Sequence, residues 1–157
     1  MQKITTFLWF DNNAEEAINF YCSIFPDAQR LSETRCGEAG PGPKGSLLTA
    51  SFQLAGQEFA ALNGGPMFKF NEAVSLVVNC TSQAEVDHYW EKLSAGGQIQ
   101  QCGWLKDQFG LSWQIVPTVL PQLLSHPDPA KAGRVIQAML QMKKLDLATL
   151  EAALEQA

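Results

Sequence analysis

Short apolar runs alternate with amphipathic segments along the chain, and over residues 1–66 they predict one strand, one helix and three further strands. The run 4–10 is rich in aromatic and β-branched residues, which is typical of a strand buried on both faces. Residues 11–13 (DNN) offer a helix N-cap, apolar residues then recur at helical spacing, and Pro26 ends the helix. Strands are predicted at 28–35, 47–54 and 58–63, with a Gly/Pro-rich loop over 36–46 and a hairpin turn at 55–57.

The second half of the chain repeats this order of elements. A strand is predicted at 73–80, and a helix capped by Thr81 or Ser82 runs to about Ala95. Short strands follow near 98–101, 104–107 and 112–116. An offset of 70 residues superimposes the first strand and helix of the two halves, and an offset of 54 superimposes their last strands. The pattern therefore predicts an α+β fold made of two βαβββ halves.

Residues 120–157 follow neither half of the repeat, and their pattern predicts helices without strands. Asp128-Pro129 is an N-cap followed by proline at the first helical position, and Asp146 caps a last helix. An apolar stripe follows the first of these caps and comprises Val135, Ile136, Met139, Leu140 and Met142. We expect these helices to bury their stripes on the sheets or on a partner chain.

Composition and charge exclude several classes of protein. Apolar residues make up 46% and charged residues 17%, as in an ordinary globular domain. The formal charge of −5 repels phosphate backbones and anionic lipid, so neither nucleic acid nor membrane is expected as a partner. The first residues lack the apolar core and cleavage site of a signal peptide, which predicts a cytoplasmic protein. The four cysteines form no CxxC pair and are expected to be reduced thiols.

Four segments carry a resemblance to a known family: FLWFDNNAEEAINFYCSIFPDA, ALNGGPMFKFNEAVSL, QCGWLKDQFGLSWQIVP and DPAKAGRVIQAMLQMKKLDLATLE. Together they closely resemble the PhnB-like group of the vicinal oxygen chelate (glyoxalase/bleomycin-resistance/extradiol dioxygenase) superfamily. The resemblance implies one domain over 1–157, with βαβββ modules at 1–66 and 67–118 and a helical tail at 119–157. It further implies a curved mixed sheet around a cavity that binds a small molecule, commonly in a homodimer.

Members of this group often carry the label 3-demethylubiquinone-9 3-methyltransferase, but the residues do not favour methyl transfer. A methyltransferase of the doubly wound kind needs a parallel sheet and a glycine-rich turn after its first strand. Residues 11–13 (DNN) stand at that place, and Gly40, Gly42 and Gly45 lie between strands.

The superfamily's metal ligands, usually His and Glu, are not matched in this chain. Counting from Phe20 and Tyr21, the first ligand position falls on Thr6, and its counterpart in the second half falls on Ser75 or Leu76. The positions on the last strands fall near Ala60 and on Gln114. Neutral hydroxyl and amide groups hold divalent transition metals poorly. His88 and His126 fall on no ligand position. We therefore expect neither a metal nor another cofactor.

The candidate ligand contacts lie mainly on strands. Strand alternation places Thr6 and Leu8 on one face and Phe7 and Trp9 on the other. The resemblance to the superfamily implies that the face of Thr6 and Leu8 lines the cavity and that the other packs against helices. Gln114 either contacts a ligand or is a buried amide bonded to backbone. The pair Lys106-Asp107 is either a gate or a turn salt bridge on a solvated rim. The complete set of predicted contacts is Thr6, Leu8, Asn63, Ser75, Trp104, Phe109 and Gln114.

Three classes of function follow from these observations. The favoured one is a small-molecule-binding protein without a catalytic metal, whether or not it also catalyses a reaction. The alternatives are a metal-dependent lyase, isomerase or dioxygenase of the superfamily, and a structural module that docks through its tail helices. Cys102 lacks a supporting histidine nearby in sequence, so a catalytic thiol is not favoured.

Overall fold

The computed structural model describes residues 2–155, which divide into two compact units between Phe70 and Asn71. The α+β class and the two βαβββ modules are confirmed, and each module forms its own four-stranded mixed sheet that does not close on itself. Among residues 2–155, no helix is long and apolar enough to cross a membrane.

The first unit contains one helix and four strands: β1 (Thr6–Phe10), α1 (Ala14–Ile24), β2 (Gln29–Arg35), β3 (Leu47–Leu54) and β4 (Gln57–Asn63). Its strand order is β1-β4-β3-β2. β1 runs parallel to β4, and the other neighbours are antiparallel. β2 is therefore an edge strand, and all seven of its residues are exposed.

The core of the first unit lies between α1 and one face of the sheet. Tyr21 of α1 stacks on Phe52 of β3 with ring centroids 6.4 Å apart, and Phe52 stacks on Phe59 of β4 at 5.5 Å. Such aromatic pairs add to the free energy gained from burying apolar area. The remaining buried residues of the helix are Ala14, Ala17, Ile18 and Ile24.

The expected orientation of β1 is wrong. Thr6 pairs with Phe59 and Leu8 with Ala61, and the side chains of paired residues point to the same face. Leu8 is 5% exposed, whereas Phe7 is 57% exposed. Thr6 and Leu8 therefore face α1, and Phe7 lies on the opposite face. A strand that is apolar at nearly every position offers no alternation from which to read its faces, and a slip of one residue exchanges them.

The N-terminus of α1 is capped across the fold and not by its own N-cap residue. Asn13 makes no side-chain cap hydrogen bond. Asn63, at the end of β4, accepts a 2.9 Å hydrogen bond from the Ala14 amide at Oδ1 and donates from Nδ2 to the Leu47 carbonyl at 3.0 Å. The side chain of Asn63 thus satisfies one of the orphan amides at the start of the helix.

The second unit repeats the topology of the first with shorter strands: β5 (Ser75–Cys80), α2 (Gln83–Ser94), β6 (Gln98–Ile99), β7 (Trp104–Lys106) and β8 (Ser112–Pro117), in the order β5-β8-β7-β6. The strand register supports the repeat residue by residue. Thr6 pairs with Phe59 in the first sheet, and their equivalents under the two offsets, Leu76 and Trp113, pair in the second.

Three helices follow β8: α3 (Leu120–Leu124), α4 (Pro129–Leu140) and α5 (Leu147–Ala152). The sequence did not predict α3. Together with the segment before α5, the helices bury a cluster of their own, against which Val116 of β8 packs. Of the predicted stripe, Ile136 and Leu140 remain exposed. The members of the buried cluster are Leu120, Val135, Leu145, Leu150 and Ala153.

Hydrogen bonds join these helices to the second sheet module. The Gln83 side chain at the start of α2 donates to the Leu145 carbonyl at 3.0 Å and accepts from the Leu147 amide at 2.7 Å. The amides of Cys102 and Gly103 donate to the carbonyls of Met142 and Lys143. The helices are thus part of the second unit.

Candidate functional site

The two faces of β8 have different surroundings. Trp113 and Ile115 are buried on the face that packs against α2, together with Leu105 of the neighbouring strand β7. Ser112 and Gln114 alternate with them and therefore point to the opposite face. Whatever binds to this opposite face meets side chains from three adjacent strands.

The register places two rows of side chains across the three strands on that face. One row consists of Lys106, Ser112 and Ser75, and the next contains Trp104 and Gln114. Directly paired residues have Cβ atoms about 5 Å apart. We call Ser75, Lys106, Ser112 and Gln114 the polar patch, and Trp104 is its aromatic neighbour.

A hydrogen bond ties two members of the polar patch together. Gln114 Nε2 donates to Ser75 Oγ at 2.9 Å. The amide of Gln114 is therefore bonded to a side chain, and both residues are half-buried. Because Ser75 Oγ accepts this bond, its own hydrogen remains able to donate.

Ser112 is the most deeply buried member of the polar patch. Its side chain is 0% exposed, and Oγ has no hydrogen-bond partner among the described residues. A buried hydroxyl without a partner is costly, because about 1–3 kcal/mol of hydration is lost without compensation. Because native proteins contain few such groups, this hydroxyl calls for a specific explanation.

Lys106 supplies the positive charge beside the polar patch. Its ammonium forms a 2.9 Å ion pair with Glu72 Oε1, in which the lysine side chain is 27% exposed and the glutamate 51%. The hydrogen bond from Lys106 lowers the pKa of the Glu72 carboxyl. The Glu72 carboxyl is therefore ionised at neutral pH.

Of the two alternatives for the pair Lys106-Asp107, the turn salt bridge on a solvated rim is wrong, because Asp107 points to the other face and is only 3% exposed. Its Oδ1 accepts from the amides of Phe109 at 2.8 Å and Leu111 at 3.1 Å, and its Oδ2 accepts from Trp113 Nε1 at 2.9 Å. Asp107 therefore fixes the turn between β7 and β8 and is not on a solvated rim.

The remaining predicted contacts lie elsewhere. Thr6 faces α1, and Leu8 is buried in the core of the first unit. Asn63 caps α1, and Phe109 is half-buried in the turn held by Asp107. Contact of these residues with a ligand stays a prediction.

The first unit contains a cavity of about 460 Å³ beneath the loop 36–46, where β1 and β4 end. Asp11, Asn12, Cys36 and Asn63 contribute to its walls. Both polar ends of Asn63 are already occupied by hydrogen bonds within the protein. The rest of the lining is formed by Pro41, Gly42, Pro43, Ser46, Leu47, Leu48, Leu62, Gly64 and Gly65.

All four cysteines are free thiols. Burial raises the pKa of Cys80 to about 11 and also raises the pKa of Cys22. Both thiols are therefore protonated at neutral pH, which suits buried small hydrophobes and not nucleophiles.

Comparison with known proteins identifies the family. Residues 2–116 match the family described as 3-demethylubiquinone-9 3-methyltransferase. The chain belongs to this PhnB-like family of the vicinal oxygen chelate superfamily. The match ends within β8, so helices α3–α5 lie outside it. A search of curated proteins found no match.

Solved structures of the PhnB-like family and of the wider superfamily share the fold. A Bacillus cereus protein described as a 3-demethylubiquinone-9 3-methyltransferase, PhnB protein, is 41% identical, with a TM-score of 0.69 over 74% of this chain and 99% of that one. PA1353 from Pseudomonas aeruginosa is 21% identical, with a TM-score of 0.62 over 74% and 98%. The fosfomycin resistance protein FosX from Listeria monocytogenes, solved with Mn(II) and sulfate, is 16% identical, with a TM-score of 0.55 over 79% and 97%.

The residues of this PhnB-like chain do not suit the metal that the superfamily resemblance implies. Ser75 and Gln114 lie together, but they offer a hydroxyl and an amide that are bonded to each other. Neither group has the charge or basicity of the His and Glu ligands that hold zinc or manganese. Within residues 2–155, no three His, Cys, Asp or Glu side chains are grouped as a metal site would require.

Sequence reasoning found two members of the polar patch, Ser75 and Gln114, and missed Ser112 and Lys106 as parts of it. Ser112 could have been found, because it lies two residues before Gln114 and so shares its face on a strand. Lys106 joins the polar patch only through the register of β7 with β8, which depends on the turn held by Asp107.

Proposed function

We propose that this PhnB-like protein binds a small molecule on the polar patch of the second sheet and does so without a catalytic metal. The observation that supports this most is Ser112 Oγ, a fully buried hydroxyl with no described partner, beside the Gln114–Ser75 hydrogen bond. Small-molecule sites commonly combine apolar walls with a few convergent polar groups. Trp104 supplies an apolar wall next to Gln114.

Methyl transfer has no support beyond the family's description. Both sheets are four-stranded and mixed, whereas the doubly wound methyltransferase fold needs a mostly parallel sheet. The sequence also lacks the glycine-rich turn after its first strand.

The proposal predicts that Gln114→Ala weakens binding by about 1–3 kcal/mol, or about 5- to 150-fold in Kd, because a ligand polar group loses its partner. Titration calorimetry with benzamide and benzoate, two small and partly apolar probes, measures this loss. Gln53→Ala is the matched control, since Gln53 is a half-buried strand glutamine of the first unit, and should leave both affinities unchanged. Equal affinities of Gln114→Ala and the unmodified protein would refute the proposed site.

We further propose that the protein is a homodimer, as the resemblance to its family implies, and that it works in the cytoplasm. Native mass spectrometry of unheated protein reports the oligomer and any small molecule retained from the cell. A retained molecule in the unmodified protein that is lost from Gln114→Ala supports the binding function. A chain that retains no small molecule but binds another protein through its tail helices supports the alternative of a structural module.

Metal content separates the proposal from a metal-dependent enzyme. Protein purified without chelator is expected to contain far less than one transition-metal ion per chain, because the polar patch offers only neutral oxygen and amide donors and one lysine. Elemental analysis by plasma mass spectrometry makes the measurement. About one ion per chain, lost on Gln114→Ala, would establish the metal-dependent alternative.

A further inference from the structure

We propose that the ligand carries an oxyanion, such as a carboxylate or phosphonate group, which Lys106 binds once Glu72 moves aside. This inference rests on the proposed function and adds the chemical class of the ligand. It also assigns a role to the Lys106–Glu72 ion pair: without ligand, the carboxylate of Glu72 binds the ammonium of Lys106 at the position that the ligand oxyanion would take.

The polar patch is rich in hydrogen-bond donors. Lys106 offers an ammonium group, and Ser112 offers a buried hydroxyl that no described residue binds. One amide hydrogen of Gln114 goes to Ser75, and the other is available. An oxyanion accepts hydrogen bonds only, so it complements this set better than a neutral amide or alcohol does.

The register brings these donors within reach of one small group. Lys106 and Ser75 flank Ser112 directly on the two neighbouring strands. Side chains paired in this way stand about 5 Å apart at Cβ. One carboxylate or phosphonate group beside Lys106 can therefore meet the ammonium and the Gln114 amide together. Because Ser112 is fully buried, its hydroxyl joins them only once the side chains over it move, as Glu72 does in this proposal.

Glu72 is placed to act as a displaceable anion. It precedes β5 and reaches Lys106 at 2.9 Å, with half of its side chain exposed to solvent. The glutamate side of this pair is open to solvent, where ion pairing contributes little to stability, so exchanging Glu72 for a ligand oxyanion costs little. The exposed carboxylate recovers its hydration when it leaves, and the ligand oxyanion takes its place on the ammonium of Lys106.

The ring of Trp104 indicates that the rest of the ligand is apolar. Its half-buried ring lies in the same row as Gln114 and forms an apolar surface beside the donors. Flat or apolar groups pack well on such a ring. The ligand class is thus a small organic acid whose apolar part contacts Trp104.

The test compares anionic and neutral probes of one shape in full-length variants. Calorimetry would measure Kd for benzoate, phenylphosphonate and neutral benzamide with the unmodified protein, Lys106→Met and Glu72→Gln. We expect Lys106→Met to weaken binding of both anions about tenfold or more, and Glu72→Gln to tighten it about threefold, because the competing carboxylate is gone. Benzamide should respond to neither change.

Two controls guard against indirect effects. Lys106→Arg keeps the positive charge and should restore most of the anion affinity. Lys44→Met removes the lysine of another exposed ion pair, formed with Glu38 at 2.6 Å, and should change no affinity. Circular dichroism of each variant confirms that it folds.

The outcomes distinguish this inference from the proposed function. If Gln114→Ala weakens all three probes while Lys106→Met and Glu72→Gln change none, the site stands and the oxyanion assignment is overturned. If none of these variants alters binding, both fail. Failure of both anions to bind up to about 10 mM also overturns the assignment. Preference for benzoate or for phenylphosphonate tells which oxyanion the polar patch suits.

Discussion

Asp107→Ala is expected to lower the free energy of unfolding by about 3–5 kcal/mol, a loss at the severe end for a single substitution. Its carboxylate is buried and accepts from two backbone amides and one indole N–H at 2.8–3.1 Å. Removing it leaves three buried or half-buried donors without that acceptor, and each lost partner costs about 1–3 kcal/mol. Urea unfolding followed by circular dichroism measures the change.

Two companion variants separate the contributions. Asp107→Asn keeps the oxygen that serves the amides of Phe109 and Leu111 but turns an NH₂ group toward Trp113 Nε1, so it should lose part of the stability. Adding Trp113→Phe removes the opposed indole donor, and the double variant should be more stable than the sum of the single losses implies. Asp27→Ala, at an exposed aspartate, should change stability by less than about 0.5 kcal/mol. A loss below about 1 kcal/mol for Asp107→Ala would show that the turn does not depend on it.

Leu145→Ala is the second substitution with a large expected effect, about 2–5 kcal/mol of lost stability. Leu145 is fully buried in the cluster formed by the tail helices, and its side chain lies against Gly103 in the turn before β7. Truncation removes buried methyl groups and leaves a cavity that the packed helices fill only partly. The same urea titration measures the loss.

Leu140 provides the matched control in the same tail. It is 55% exposed, so Leu140→Ala should change stability by less than about 1 kcal/mol. Similar losses for the two variants would mean that the tail helices are not docked as described.

Much of the fold could be predicted because each element has a local signal. The helix of the first half ends before Pro26, and the glycine-rich turns separate the strands, as proline and glycine chemistry requires. The repeat was also predictable from two offsets, although few residues are identical, because the order of apolar and polar segments was kept. The strand register of Thr6 with Phe59 and of Leu76 with Trp113 agrees with both offsets.

Long-range features were not predictable from local pattern. Nothing near Asn13 indicates that Asn63, fifty residues away in sequence, supplies the cap for α1. Because β1 is apolar at nearly every position, its pattern does not show which face is buried, and Thr6 and Leu8 were predicted on the cavity face when they face α1. Tail residue Leu140 carries the same apolar signal as Val135, yet only Val135 is buried.

The candidate site was predicted only where alternation and family position agreed. Gln114 and Ser75 fall on one face of the second sheet and bond to each other. The charged residue of the site was not predicted, because only the pairing of β7 with β8 brings Lys106 beside Ser112. The ion pair of Lys106 with Glu72 likewise joins residues that are distant in sequence. Asp107, adjacent in sequence to Lys106, points the other way because successive strand residues alternate.

The two hydrogen bonds of the Gln83 side chain to the tail imply that the first unit can fold before the second during synthesis. In the first unit, the last strand ends at Asn63, and the amides of Gly64 and Gly65 close onto β1, so that sheet can form soon after residue 65 has left the ribosome. In the second unit, the side chain of Gln83 bonds to Leu145 and Leu147, which are synthesised 62 and 64 residues later. The second unit, which carries the polar patch, therefore lacks these bonds to the tail until residues 142–147 emerge, although its last strand ends at Pro117.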